Sequence, residues 1–169
     1  MRYASIRNLD ISNGLGVGVA LFVQGCPLHC KNCFNPNTWN FDDGEEWTKE
    51  TEDMFIELVN KPYIKRVSIL GGEPLSNHNR YQVFLLCNRI KNLYKDKKIW
   101  LYSGYTYEQI CQSREQFKIF TCIDVLVDGP YIDEQRDITL AFRGSKNQRI
   151  IDVKKTLQRG EVVLYENIY

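Results

Sequence analysis

The chain has 169 residues, 43% of them hydrophobic and 25% charged, enough for one domain with an ordinary packed core. Its 22 basic and 21 acidic residues leave a net charge of +1, which gives no electrostatic footprint for nucleic acid or an anionic membrane surface. No apolar stretch approaches the roughly 20 residues of a bilayer span, and Arg7, Asn8 and Asp10 interrupt any signal-peptide core. The expectation is a cytoplasmic protein whose six cysteines stay reduced.

Residues 17–23 are nearly all apolar, as a parallel strand buried on both faces should be. Three cysteines follow within eight residues, in Cys26-Pro27-Leu28-His29-Cys30-Lys31-Asn32-Cys33. Residues 35–47, rich in Asn, Asp and Gly, predict a surface loop, and 48–60 a helix with Met54, Phe55, Leu58 and Val59 inward. A second strand at 66–70 runs into Gly71-Gly72-Glu73-Pro74. Val83, Leu86, Cys87, Ile90, Leu93 and Tyr94 then fall at helical spacing, which makes Cys87 a packing residue. Lys91, Lys95, Lys97 and Lys98 predict a solvated helix end.

A strand at 99–102 leads to Ser103-Gly104-Tyr105, and Thr106-Tyr107-Glu108-Gln109 has the form of a capping box. The strand at 123–127 leads to Asp128-Gly129-Pro130-Tyr131. Asp152 caps a last helix that stops at Gly160, and 162–165 predicts a final strand. Strands alternating with helices imply a parallel α/β sheet with right-handed crossovers. A complete eight-stranded barrel takes about 250 residues. This chain is predicted to form an incomplete, open β/α barrel of about five or six parallel strands, with residues 1–169 as one domain.

The C-x3-C-x2-C spacing offers three thiolates to a four-iron cubane and leaves one iron open. Structural zinc usually takes two C-x2-C pairs or completes four ligands with histidine. Here Cys87, Cys111 and Cys122 are scattered singly, and His29 sits inside the loop itself with little room to fold back. Ligands in parallel α/β folds bind beyond the carboxyl ends of the strands, where the cysteines, the Gly-Gly-Glu-Pro turn, Ser103 and Asp128 all fall. Paired glycines permit close backbone approach, and Glu73 offers a carboxylate to a ligand ammonium; alone, the segment is an ordinary strand-to-helix turn. Two histidines, His29 and His78, and no serine in a nucleophile elbow leave little for hydrolytic chemistry; His78 is expected on the surface.

Together, the cysteine triplet and Gly71-Gly72-Glu73-Pro74 resemble the radical S-adenosylmethionine superfamily. Within it, residues 13–19 and 22–27, Cys33-Phe34-Asn35-Pro36-Asn37-Thr38-Trp39, residues 100–108, residues 124–130 and Arg143-Gly144-Ser145-Lys146-Asn147-Gln148-Arg149 resemble the anaerobic ribonucleotide reductase-activating proteins. Lys146 and Ser103 stand where a small residue and threonine are commoner. The resemblance implies a [4Fe-4S] cluster on Cys26, Cys30 and Cys33, with S-adenosylmethionine chelating the open iron. Reductive cleavage to a 5′-deoxyadenosyl radical would then install a glycyl radical on the reductase large subunit.

By the same resemblance Asn32 and Phe34 lie near the adenine, and Gly71, Gly72 and Glu73 near the methionine ammonium. Ser103 and Asp128 could reach the carboxylate or ribose, or else serve as a turn hydroxyl and a helix cap. Arg143 and Arg149 could contact the methionine carboxylate, the partner protein or surface carboxylates. Flavodoxin or a similar reductant is the implied electron donor, and a homodimer is among the assemblies left open. The alternatives are an activase of another glycyl-radical enzyme, of the pyruvate formate-lyase type, or a zinc-stabilised binding module without catalysis.

Overall fold

The computed structural model describes residues 1–166 and 168. In chain order it builds β1 (Arg2–Asp10), β2 (Gly18–Val23), the two-residue β3 (Glu45–Glu46), α1 (Lys49–Val59), β4 (Arg66–Gly71) and α2 (Arg80–Leu93). There follow β5 (Lys98–Tyr102), α3 (Tyr107–Gln112), α4 (Arg114–Phe117), β6 (Val125–Asp128), β7 (Arg149–Asp152) and α5 (Val153–Arg159). All the strands join one open sheet in the order β3-β1-β2-β4-β5-β6-β7. No described helix is long and apolar enough to cross a membrane.

The parallel part is smaller than expected. Only β2, β4, β5 and β6 run parallel to one another, whereas β1, β3 and β7 pair antiparallel. The mixed α/β sheet is compatible with an open barrel, but five or six parallel strands is corrected to four. β1 escapes a periodicity reading because its exposed positions do not alternate cleanly and its pairing with β2 is broken by bulges. The expected strand at 162–165 makes only an isolated bridge, Leu164 to Ile151. The true edge on that side is β7, four residues long after a long loop.

Several helix predictions carry their physical causes. Thr48 caps α1 by accepting from the Thr51 N–H, and Thr106 and Gln109 close both bonds of a capping box on α3. Asp152 caps α5 and Gly160 ends it at φ 72°. Met54 and Leu93, however, are exposed rather than inward, because each lies at the margin of its apolar stripe. The lysine cluster is also corrected. Lys97 is buried and donates to the carbonyls of Lys61 (3.0 Å) and Ile64 (2.7 Å), and Lys91 pairs with Asp124 at 2.5 Å. These cations tie α2 and the start of β5 to neighbouring loops.

Alternation along the strands divides the sheet into two unlike faces. Val19, Leu21, Val67, Ile69, Ile99, Leu101 and Leu126 face α1, α2 and α3 in the main core. Ala20, Phe22, Leu70, Trp100, Val125 and Val127 face the other way and form two small clusters, covered among the described residues by loop side chains such as Phe142 and Tyr165 rather than by a helix. Set into that second face is a buried ion pair. Arg66 Nη2 lies 2.6 Å from Asp10 Oδ1, and Arg66 Nη1 donates to Ser68 Oγ at 2.6 Å. Burial pushes the Asp10 carboxyl up, but the Arg66 and Asn13 hydrogen bonds outweigh it and hold the carboxyl below its usual range. Gly14 and Gly18 make room for the Arg66 side chain: a Cβ would sit 2.9 Å from Arg66 Cδ at Gly14 and 2.6 Å from Arg66 Cγ at Gly18.

Candidate metal-cluster and cofactor site

Both loops that carry the expected chemistry leave the carboxyl ends of adjacent parallel strands. After β2, Gln24 Nε2 donates to the carbonyls of Asn37 (3.0 Å) and Asn40 (2.8 Å), and the Gly25 and Cys26 N–H groups bond the carbonyls of Thr38 and Trp39. Residues 35–47 are therefore more than a surface loop: they fold back beneath the cysteines, with Thr38 and Trp47 buried. After β4, the Gly72 and Glu73 N–H groups bond the carbonyls of Val23 and Gly25. A Cβ on Gly72 would lie 2.4 Å from the Gly25 carbonyl oxygen, so glycine here lets two loops touch backbone to backbone. Asn79 Nδ2, from the start of α2, locks the junction by donating to the carbonyls of Gln24 (2.8 Å) and Glu73 (3.1 Å). Spacing alone gave no sign of Asn79; its signal is only a position just before a helix.

Cys26, Cys30 and Cys33, each partly exposed, line one cavity of about 570 Å³ together with Phe34, Gly71, Gly72, Glu73, Ser103 and Arg143. That volume lies within the range of about 300–1,000 Å³ typical of small-molecule sites. Burial pushes the Cys26 and Cys30 thiols up, so metal must displace protons to bind there. The Asn35 N–H points at Cys33 Sγ from 3.4 Å. Among the described residues no three His, Cys, Asp or Glu side chains are grouped tightly enough to hold a single ion. A cubane offers its three thiolates separate iron corners, so three thiols spread on one wall fit such a cluster. His29 stacks on Trp39 with centroids 4.7 Å apart.

Glu73 is fully enclosed at the cavity wall. It accepts from the Leu75 N–H (2.8 Å), Ser103 Oγ (2.9 Å) and the Gly104 N–H (2.8 Å). Burial nevertheless wins over these donors and pushes its carboxyl up to about 7. A cation brought to this wall would supply the missing counter-charge. Ser103 thus serves Glu73 with its hydroxyl proton while still facing the cavity.

The remaining residues divide. Phe34 is exposed on the cavity rim, edge-on to Tyr131 at 5.0 Å with the Arg136 guanidinium over its ring. Arg143 lines the cavity, donates to the Gln148 carbonyl at 2.8 Å, and keeps a buried Nε without a partner among the described residues. Asn32 lies off the cavity wall, at φ 54°, with Nδ2 donating to Asp133 Oδ2 at 2.7 Å. Asp128 is buried away from the cavity, where it accepts from the Tyr107 N–H (2.7 Å) and from Arg149 Nε (3.0 Å). The helix-cap alternative is what its geometry builds. Arg149 also pairs with Glu108 at 2.8 Å and holds that carboxyl down at about 2.

The family of 4Fe-4S single cluster domains matches residues 12–151, which span the thiol wall, both turns and the loop that carries Arg143. A protein of Vibrio cholerae named anaerobic ribonucleoside-triphosphate reductase-activating protein is 41% identical over 152 residues, covering 89% of this chain and 97% of that one. This chain belongs to that family. Relatives of the same name from Escherichia coli (37% identical, 88% of this chain and 96% of that one) and from Enterobacteria phage T4 (35% identical, 89% and 93%) agree. The 4Fe-4S description of the family fits the three cavity thiols.

Proposed function

We propose that this chain is a radical S-adenosylmethionine activase that generates the glycyl radical on an anaerobic ribonucleotide reductase, acting as one domain in the cytoplasm. The observation that carries the reading is one cavity bearing three thiols, the Gly-Gly-Glu turn and Ser103, at the carboxyl ends of the parallel strands. Cys26, Cys30 and Cys33 would hold a [4Fe-4S] cluster, with Gly72, Glu73 and Ser103 beside the methionine end of S-adenosylmethionine. When bound, this pair would supply one-electron reductive chemistry directed at a glycine Cα–H of the partner.

The protein's own part is to bind, orient and exclude water. Glu73, poised near neutrality, becomes a carboxylate when an ammonium arrives, so cofactor binding and proton release are linked. Phe34 and Leu28 give the cavity mouth apolar sides. A glycine in a folded partner cannot diffuse into a closed pocket, and the cavity rim at the exposed Phe34 and Ile138 leaves a way in. An external low-potential donor such as flavodoxin would supply the electron.

Anaerobic reconstitution tests the reading. Iron and sulfide in a ratio of about four to four, 5′-deoxyadenosine released under reduction, and a glycine-centred doublet in the paramagnetic resonance spectrum of added reductase are the expected results. Bound zinc with neither product would sink it. Size-exclusion chromatography of the holoprotein decides between monomer and homodimer.

A further inference from the structure

The two edges of the sheet end differently. β7 is closed by the chain that follows α5: the Asp152 N–H bonds the Val163 carbonyl (2.9 Å) and the Tyr165 N–H bonds the Ile150 carbonyl (2.8 Å). At the other edge β3 pairs with β1 only at Arg2 and Tyr3. β1 is the longest strand, at nine residues, and among the described residues no strand lies on the outer side of residues 4–9. Ala4, Ser5, Arg7, Asn8 and Leu9 are all exposed. A bare strand edge presents main-chain N–H and C=O groups in a row, and what matches that row is another extended chain. Edges built to stay unpaired usually carry lysine or proline, and residues 4–9 contain neither. Between its two bulges β1 keeps regular register at Ser5, Ile6 and Arg7.

This open edge borders the cavity. Arg7, from the middle of the stretch, lines the cavity with its guanidinium 4.5 Å over the Phe22 ring. Among the described residues that guanidinium meets the ring and no carboxylate. Ser12 and Asn13, just past the strand, line the same cavity. Leu9 and Ile11 are 62% and 71% exposed, large apolar side chains on the same border. Main-chain donors and acceptors, exposed apolar groups and an uncommitted cation along one edge suit an extended polypeptide that carries an acidic residue.

We propose that β1 is the docking edge for the reductase: an extended segment next to its target glycine adds to the sheet along residues 4–9, with an acid facing Arg7, and so brings the glycine to the mouth of the cavity. This rests on the activase reading above and names the surface its partner takes. Position selects the reductase over a second copy of this chain, because the open edge adjoins the cavity that the target glycine must reach.

Hydrogen–deuterium exchange on the anaerobic holoprotein, alone and with full-length reductase, reads the edge directly. Residues 4–9 are expected to exchange about tenfold more slowly with reductase present, and β7 to stay unchanged. Leu9→Lys places on the edge the charge that natural proteins use to block such pairing. Its KM for the reductase should rise about three- to tenfold, while iron content and 5′-deoxyadenosine release without reductase stay at the wild-type level. Arg7→Glu should raise KM too, and its gap from wild type should narrow at high salt. Unchanged exchange at residues 4–9, or an unchanged KM in Leu9→Lys, would overturn the proposal. Protection that appears without reductase and grows with the protein's own concentration would overturn it in favour of a second copy. Wild type that cleaves S-adenosylmethionine yet leaves no radical on the reductase refutes the activase reading. Radical formation while residues 4–9 still exchange freely refutes the docking edge alone.

Discussion

The two faces of the sheet are made from the same strands, residue by alternate residue, and they do opposite work. One face buries Phe55, Val83, Leu86, Ile90 and Ile110 against Val19, Ile69, Ile99 and Leu101, all fully enclosed. The other keeps small clusters around Trp100 and Phe22, a buried ion pair, an unpaired hydroxyl and a cavity reaching three thiols. Stability is concentrated on the first and chemistry on the second. A side chain's duty here follows from the parity of its strand position, and that separation lets a small domain close one face with helices and the other with loops such as those of Phe142 and Tyr165.

The largest contrast comes from the thiols. Changing any one of Cys26, Cys30 or Cys33 to Ala is expected to abolish cluster retention and glycyl-radical formation, read by iron content and paramagnetic resonance, while barely moving the unfolding midpoint of the metal-free protein. A metal-free protein that collapsed with the same change would show that the thiols pack as core.

Core substitutions should act the other way. Phe55→Ala is expected to cost about 3–5 kcal/mol in denaturant unfolding, and Leu70→Ala, on the cavity side, about 2 kcal/mol because less surrounds it. Equal losses would erase the distinction between the faces. The buried pair sharpens it from within the open face. Arg66→Met leaves Asp10 charged with only the Asn13 hydrogen bonds, at about 3–5 kcal/mol, and changing Asp10 to Leu as well should restore most of that.

Glu73 predicts a pH effect of intermediate size. Its folded-state pKa of about 7 stands above the ordinary 4.5, so its contribution to stability is full below about pH 4.5 and is lost as pH rises through about 7. Relative to Glu73→Gln, the metal-free wild type should lose on the order of 3 kcal/mol across that window. A flat difference between the two proteins would mean the carboxyl is solvated. The smallest effect is expected at Asp133, which holds Asn32 at 2.7 Å and Tyr131 at 2.8 Å in an exposed setting. Asp133→Ala should barely move the unfolding midpoint, because solvent screens the exposed carboxylate, and calorimetry should find S-adenosylmethionine bound only a few-fold more weakly.

What could be read from the residues in order was local. The thiol spacing, the caps at Thr48, Thr106 and Asp152, the apolar stripe through Cys87 and the alternation of strands with helices are all set within a few residues, and each has its place in the fold. The same spacing argument misassigned Met54, Leu93 and Lys97, which sit where a helix margin or a chain turn is decided by what packs against it.

Contacts between distant residues decided the rest. The antiparallel β1 and β7, the Arg66–Asp10 pair 56 residues apart and the Asn32–Asp133 bond 101 residues apart have no periodic signature. Asp128 shows the boundary most plainly: its place after a strand suited a ligand, but Arg149 and the Tyr107 N–H claimed its carboxylate. Order along the chain sets which chemical groups are present and which local segments become helix or strand, because those depend on near neighbours in sequence. Which face carries the helices, which the cavity, and which polar groups pair is set by packing, because burial and pairing depend on neighbours in space.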